Sequence, residues 1–467
     1  MSEIVSSQKP LVFKVTKQKP ELIAPAKPTP NEFKELSEID NQQRLRFFIT
    51  LIQFYRSGPV DGPDPAKVIK EALGKALVAY YPLAGRLRQK EQGRLVIECN
   101  GEGIMFVEAH ADVSLAQFGE LLIPPFPCME ELHCDTSNSD AFLDYPFLLV
   151  QLRVLYNANK HVQVTRLKCG GFILTTKQNH AVLDAPGITQ FMHAVAELVR
   201  GAEFPSVHPV WDRHLLCARN PPRVTCMHPE YDDEIDGPPA SILPFTDVVH
   251  KIFFFGPTEI GNIRRLLPVG HSKKSTRFEI LTACIWRSRT IAMQFNPKVE
   301  VRLRFLINFR HHKRNPPIPK GYYGNLMATP VAISTAQDLI SNPLEYTLEL
   351  IKNVKRSITE EYIMSMVDFL GTKGRPRFHR GACTYYLVDV SRVGLDQWDF
   401  GWGKPVYGGP SEVWFGRPTT GFGNYYLGGK NGKGETGILV PMCLPRWAMG
   451  RFVEELKSVS ISGSSRM

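Results

Sequence analysis

Apolar residues recur along the chain with two different periods, which predict alternating helices and strands. Between residues 68 and 80 they follow the spacing of one helix face, and Pro82 predicts the end of that helix. The same period predicts a helix over Ile188–Arg200, which Gly201 would end in a left-handed conformation, and helices over residues 278–293 and 446–458. Shorter apolar runs predict strands at residues 11–15, 94–98, 104–109, 162–176, 251–255, 301–307 and 384–390.

One long stretch without a period divides the chain. Residues 204–245 are rich in proline, histidine and charged side chains, and a connection of this length is interpreted as a crossover between two lobes. The predicted N-terminal lobe covers residues 1–203 and the C-terminal lobe covers residues 246–467. Because 467 residues are too many for one ordinary core, the predicted fold class is α/β, with mixed sheets in two lobes of similar size.

Composition and charge narrow the classes of function. Apolar residues make up 43% of the chain and charged residues 22%, which is globular composition. The net charge of +10 is spread along the chain without a nucleic-acid-binding module, so we predict no nucleic-acid partner and consider an anionic small molecule a better match. No apolar run approaches the roughly 20 residues that span a bilayer, so we predict no membrane partner.

Cysteine usage and the last residues bear on location. The nine cysteines are dispersed and odd in number, which favours a reducing compartment. Ser465-Arg466-Met467 resembles the C-terminal tripeptide that a peroxisomal import receptor binds. We therefore expect a peroxisomal protein that interacts with that receptor, with the cytoplasm as the alternative, and we expect a monomer.

The segment "NHAVLDAPG", residues 179–187, offers candidate chemistry at a predicted strand-to-helix turn. Asp184 has the position of a helix N-cap, and Pro186 suits the first helical turn. His180 and Asp184 could instead be metal ligands, but no third ligand is evident, and we predict no metal. A neutral His180 could also act as a general base. Spacing alone favours a plain turn and leaves the other two hypotheses open.

Two glycine-rich segments resemble phosphate-handling motifs without matching them. "DFGWGKP" begins like the magnesium motif of protein kinases, but the other kinase motifs are missing from the sequence. "GGKNGKGE", residues 428–435, lacks the ending of a phosphate-binding loop and is interpreted as a hairpin loop.

Together, "HAVLD" at residues 180–184 and "DFGWG" at residues 399–403 resemble the HxxxD and DFGWG motifs of the plant BAHD acyl-CoA-dependent acyltransferases. "YYPLAGRL", "LKCGGF", "FEILTACIWR" and "GYYGN" are similar to other family landmarks, so the resemblance covers nearly the whole chain. Ala185 stands where many members have glycine, as in the alcohol-acylating branch. The crossover and "NFRHHKRNPPIPKGYYGN" resemble the group that contains benzyl alcohol benzoyltransferases and methanol anthraniloyltransferases.

The resemblance implies a fold and a set of roles. Two chloramphenicol-acetyltransferase-like lobes would enclose a channel, in which His180 deprotonates the acceptor alcohol. Asp184 would point away from the channel and pair with Arg310. Asp399 is grouped with His180 as a catalytic candidate, although the resemblance implies that it, Gly401, Trp402 and Gly403 hold a loop of the second lobe and help coenzyme A to bind.

The resemblance also implies the substrates. Acyl-CoA would be the co-substrate, with no cofactor bound, and its phosphates would contact Lys273, Lys274, Ser275 and Thr276. Benzoyl-CoA with benzyl alcohol is the expected pair. Anthraniloyl- or acetyl-CoA with another alcohol, and a non-catalytic scaffold, are the alternatives.

Overall fold

Two mixed β-sheets with helices packed against them form the body of the protein. The computed structural model describes residues 3–4, 11–58, 62–90, 93–119, 121–132, 143–155, 171–231, 247–373, 381–412, 414–417 and 421–462. The tail at residues 465–467 lies outside them. The mixed α/β class predicted from the sequence is confirmed.

The strands in chain order are β1 (Glu3–Ile4), β2 (Val15–Lys17), β3 (Glu21–Ile23), β4 (Phe33–Glu35), β5 (Phe48–Tyr55), β6 (Arg86–Gln89), β7 (Leu95–Glu98), β8 (Ile104–Ala111), β9 (Leu148–Leu155), β10 (Phe172–Asn179), β11 (Val248–Phe255), β12 (Glu300–Phe305), β13 (Ile307–Asn308), β14 (Met327–Ala328), β15 (Val331–Thr335), β16 (Thr384–Asp389), β17 (Tyr407–Pro410), β18 (Trp414–Arg417), β19 (Gly421–Lys430) and β20 (Thr436–Pro445). The helices are α1 (Pro65–Ala79), α2 (Met129–Leu132), α3 (Ala185–Val199), α4 (Pro257–Arg265), α5 (Val269–Lys274), α6 (Arg277–Met293), α7 (Ala336–Ser341), α8 (Leu344–Ser357), α9 (Glu360–Lys373) and α10 (Arg446–Ser462).

The predicted helices are all present, and capping residues explain their starts. α1 begins earlier than its apolar period because the Asp64 side chain accepts a hydrogen bond from the Ala66 amide at 3.0 Å and Pro65 follows at the first helical position. α3 begins directly after Asp184, and Gly201 has a φ of +92°, as a left-handed C-terminal residue should.

Most predicted strands are confirmed, with two differences at the N-terminal end and at β10. The strand predicted at residues 11–15 is wrong except for Val15, because the Lys14 amide donates to the Asp112 carboxylate at 2.6 Å instead of joining a strand ladder. Residues 162–170 of another predicted strand lie outside the described residues, and the described strand there is β10. The hairpin predicted around residues 428–435 is confirmed as β19 and β20.

Each sheet takes a strand from the other half of the chain. The first sheet has the order β17-β5-β10-β9-β8-β2, with β3 also on β8, so β17 from the second half forms one edge. The second sheet has the order β1-β11-β20-β19-β16-β12-β15, with β18 on β19, so β1 from the N-terminus forms its edge. The lobe boundaries 1–203 and 246–467 remain predictions along the chain, but packing crosses them at both edges.

The two largest hydrophobic cores follow the sheets. The first core packs α1 and α3 against the first sheet, and it also contains Leu395, Trp398 and Phe400 from the second half of the chain. The second core packs α4, α6, α8 and α10 against the second sheet. The DFGWG segment therefore contributes to the first core, and the expectation that it organises the second lobe is corrected by this packing.

The described part of the predicted crossover, residues 204–231, is irregular and packs along both lobes. Val210 forms an isolated bridge with Tyr322, and Arg213 is fully buried beside Asp40. No helix of the described segments combines the length and apolar character needed to cross a membrane.

Candidate active site

The ends of two sheets meet at a cavity of about 150 Å³ that contains His180. Its first wall is one face of the first sheet, because side chains alternate across a strand. Phe47, Ile49 and Leu51, on or just before β5, line it at every second position. Gln178 and His180 continue the same face at the end of β10, where Gln178 is the register partner of Ile49.

The second wall is built in the same way from the second sheet. Arg304 and Leu306 alternate along β12, and Tyr386 faces Arg304 in register on β16. The other lining residues are Arg44, Leu45, Asp184, Ala185, Pro186, Asn308, Leu326, Met327, Thr329, Thr384, Val388, Asp389, Val390, Val393, Leu395, Pro410 and Tyr425. The wall is mostly apolar, with a few polar groups near His180, which suits an uncharged organic ligand.

The backbone of His180 is fixed on both sides. Its amide donates to the Phe47 carbonyl at 2.9 Å, and its carbonyl accepts from the Asn325 side chain at 2.9 Å. The imidazole lies 5.2 Å from the Phe47 ring, centroid to centroid. Nδ1 is buried, so Nε2 is the ring nitrogen that can reach the cavity. Burial lowers the pKa of His180, a change that its own backbone carbonyl and Asp184 oppose, so the imidazole is neutral near pH 7.

The Asp184 carboxylate holds the turn that carries His180. Oδ1 accepts from the Gly187 amide at 2.9 Å and Oδ2 from the Leu326 amide at 3.2 Å. Both oxygens also accept from Arg310, each at 2.7 Å, in a bidentate ion pair that is largely buried. The ion pair predicted between Asp184 and Arg310 is present. With these four hydrogen bonds, the carboxylate is positioned to join the turn to the second lobe; its role in turnover stays a prediction.

A second buried ion pair braces the same turn from the other side. Asp40 pairs with the Arg213 guanidinium at 3.1 Å, and Arg213 donates to the Val182 carbonyl at 3.1 Å. Asp40 also accepts from the Asn325 side chain at 2.7 Å, and Asn325 in turn holds the carbonyl of His180. Arg213 comes from the crossover, so that connection takes part in the architecture of the site.

The structure does not bring the DFGWG loop to the cavity. Asp399 accepts hydrogen bonds from the amides of Gly401 at 2.8 Å and Gly403 at 3.0 Å, and both glycines have positive φ angles, which glycine adopts without strain. Trp402 packs edge-on against Phe172 of the first sheet. None of the five residues is among the described residues that line the cavity, so the geometry favours a loop-holding role for Asp399.

The candidate coenzyme A contacts lie at the junction of α5 and α6. The side chains of Lys273 and Lys274 are exposed, as a contact with phosphates requires. The hydroxyl of Ser275 donates to the His271 carbonyl at 2.6 Å, and Thr276 caps α6 by accepting from the Glu279 amide at 3.3 Å. Neither hydroxyl points to a ligand in this arrangement, and the assignment of all four residues stays a prediction.

The metal hypothesis for the turn receives no further ligands from the structure. Within the described segments there is no group of three or more histidine, cysteine, aspartate or glutamate side chains that could hold a metal ion. Both carboxylate oxygens of Asp184 are already bound to Arg310.

The sequence of this protein is similar to those of known transferases over almost its whole length. The sequence model of the Transferase family matches residues 13–459. A benzyl alcohol O-benzoyltransferase of Nicotiana tabacum is 52% identical over 447 residues, which cover 96% of this chain and 94% of that protein. The enzyme of the same name from Petunia hybrida is 51% identical, with 96% and 94% covered. A 13-hydroxylupanine O-tigloyltransferase of Lupinus albus is 48% identical, with 96% and 95% covered.

Solved structures show the same fold at much lower identity. Vinorine synthase superposes with a TM-score of 0.68 at 21% identity, covering 96% of this chain and 98% of its own. TRI101 of F. sporotrichioides, in complex with coenzyme A and T-2, has a TM-score of 0.63 at 17% identity, covering 91% and 98%. The two-lobed, chloramphenicol-acetyltransferase-like fold is thereby confirmed.

The fold, the cavity and these similarities define an acyltransferase. The chain belongs to the Transferase family, the BAHD acyltransferases, whose co-substrate is an acyl-CoA.

Proposed function

We propose that this acyltransferase transfers a benzoyl group from coenzyme A to benzyl alcohol, with His180 as the general base. The observation that carries the chemistry is the neutral imidazole of His180 at the wall of a mostly apolar cavity between the lobes. The benzoyl and benzyl groups are proposed because two relatives with 51–52% identity bear that activity in their names. An apolar cavity is compatible with two aromatic rings.

The proposed reaction needs one proton acceptor and no covalent enzyme intermediate. Nε2 of His180 takes the hydroxyl proton of the alcohol as its oxygen attacks the thioester carbon. The new C–O bond forms, the C–S bond breaks, and the coenzyme A thiolate leaves and receives the proton from His180. The products are benzyl benzoate and free coenzyme A. General-base assistance of this kind contributes roughly 10²–10⁴-fold to the rate.

Asp184 is proposed as a structural support of this step instead of a proton relay. A relay would need its carboxylate on the imidazole, whereas its oxygens are bound by Arg310 and two backbone amides. Its negative charge still favours the protonated imidazole, which forms transiently during the reaction.

A panel of donors and acceptors tests the proposal. Benzoyl-, anthraniloyl-, acetyl- and hydroxycinnamoyl-CoA would be combined with benzyl alcohol, methanol and short aliphatic alcohols, with thiol release and ester formation measured together. We expect the highest kcat/KM for benzoyl-CoA with benzyl alcohol. A higher value for anthraniloyl- or acetyl-CoA would replace the proposed donor, and thiol release with no pair at all would favour the scaffold alternative.

A further inference from the structure

Gln178 is a cavity-lining residue whose side chain is not held by the protein. It is 1% exposed and lies two positions before His180, on the same face of the first sheet. Residues two apart along a strand are about 6.5 Å from each other, so the carboxamide lies next to the imidazole. Its Oε1 atom is buried without a hydrogen-bond partner, and no described residue accepts a hydrogen bond from its Nε2 atom.

The neighbouring amide side chains differ from Gln178 because the protein already uses them. Asn179 lies on the opposite face of β10, and its Oδ1 accepts from the Ala181 amide at 3.0 Å. Asn308 lines the cavity, but its Oδ1 accepts from the Arg310 amide at 2.9 Å. Leaving a buried carboxamide unpaired is unfavourable for stability. A group that is costly to the free protein and faces the reaction cavity points to a partner on the ligand.

We propose that Gln178 is a further catalytic residue, whose Nε2 donates a hydrogen bond to the carbonyl oxygen of the reacting acyl group. As the alcohol oxygen attacks, the electron pair of the carbonyl π bond moves onto that oxygen, and an N–H donor fixed in a water-poor cavity stabilises the charge. When the C–S bond breaks, the pair returns and the ester carbonyl forms. This inference rests on the proposed reaction at His180, but it is independent of whether the acyl group is benzoyl.

The substitution Gln178→Met tests the proposal with little change in volume. It removes the donor and replaces a buried unpaired polar group with an apolar one. We expect kcat to fall roughly 10²-fold, as for loss of one oxyanion donor. KM for both substrates should stay within about 3-fold, because the lost interaction is strongest in the transition state. The melting temperature should be equal to or above that of the wild type.

The chain offers a matched control on the same strand. Thr176 lies two positions before Gln178, is fully buried and has an unpaired hydroxyl, but it is not among the described residues that line the cavity. Thr176→Val should therefore keep or raise the melting temperature and leave kcat unchanged. Equal losses of kcat in the two variants would show that packing of β10 is responsible and would overturn the proposal.

Two further readouts separate this proposal from the one on which it rests. Gln178→Met should keep the acid limb of the pH–rate profile, because His180 remains the base; a shifted limb would mean that the imidazole has moved and would count against a direct role. All variants would be assayed with whichever donor and acceptor the panel selects. If His180→Ala is inactive while Gln178→Met retains kcat within about 3-fold, only the inference about Gln178 fails. If His180→Ala keeps the wild-type rate, the proposed mechanism fails.

Discussion

The turn at residues 180–184 and the loop at residues 399–403 are built around similar aspartates. Asp184 accepts from the amides of Gly187 and Leu326, and Asp399 accepts from those of Gly401 and Gly403. Only Asp184 adds an ion pair, with an arginine 126 positions away along the chain. Only the first of the two segments borders the cavity.

The difference shows that the partners of each aspartate indicate its role more clearly than the motif does. Asp184 connects the turn of the first lobe to Arg310 of the second, so a change there affects the catalytic wall and the junction of the lobes together. The bonds of Asp399 stay within its own loop. That loop is anchored instead by its aromatic neighbours, since Phe400 is fully buried and the Tyr55 hydroxyl donates to the Trp398 carbonyl at 2.7 Å.

The largest effect on turnover is expected from His180→Ala. Removing the general base should lower kcat by at least about 10²-fold, while the fold and coenzyme A binding persist. His193 is a matched control, because it is a partly buried histidine on α3 that is not among the described cavity-lining residues. Steady-state kinetics should show near-wild-type kcat for His193→Ala. Comparable activity of the two variants would exclude His180 as the base.

The largest effect on stability is expected from Asp184→Asn. It leaves the largely buried guanidinium of Arg310 without its counter-charge, and breaking a buried pair on one side costs about 3–5 kcal/mol. The helix cap survives, since asparagine caps as well as aspartate. Denaturant unfolding would measure the loss, and the double variant Asp184→Asn/Arg310→Gln should recover part of it. If the single and double variants lose stability additively, the two side chains are not coupled.

The sequence predicts the parts of the site that lie in short motifs. The helix after Asp184 is indicated by its N-cap and by Pro186, and the family resemblance pairs Asp184 with Arg310 because both occur in recognisable segments. Alternation on β5 was also visible, since Phe47, Ile49 and Leu51 occupy every second position. That period could have identified the cavity wall, had the strand been placed beside β10.

The rest of the site depends on contacts between distant segments, which no local pattern encodes. Asp40, Arg213 and Asn325 meet only because the crossover returns beneath the catalytic turn. Arg213 lies in a stretch without periodicity, so nothing in its surroundings predicts burial. The same holds for β17, whose short segment reveals nothing of its pairing with β5. Gln178 was overlooked because an unpaired side chain becomes visible only when all its neighbours are placed.

The pH dependence of the rate distinguishes the two aspartates by a smaller effect. Burial lowers the pKa of His180, so the neutral base should persist below the ordinary value of about 6.5, and the rate should fall only as the pH drops through the lowered pKa. Asp184 opposes this shift, so Asp184→Asn should move the acid limb to still lower pH. Asp399→Asn should leave it in place. Profiles of kcat/KM against pH would measure both, and an acid limb above pH 6.5 in the wild type would contradict the assignment.

The smallest effect is expected from Asp399→Asn, which tests whether this residue is catalytic at all. Asparagine keeps an oxygen that can accept from Gly401 and Gly403, so stability should change by no more than about 0.5 kcal/mol and kcat should remain near that of the wild type. Asp399→Ala removes both loop hydrogen bonds and should cost about 1–2 kcal/mol, again with little change in kcat for the molecules that stay folded. The decisive measurement is kcat of the asparagine variant at unchanged stability. A loss of 10²-fold or more would return Asp399 to the reaction beside His180, since only a carboxylate charge acting on the chemistry would distinguish it from an amide of the same shape.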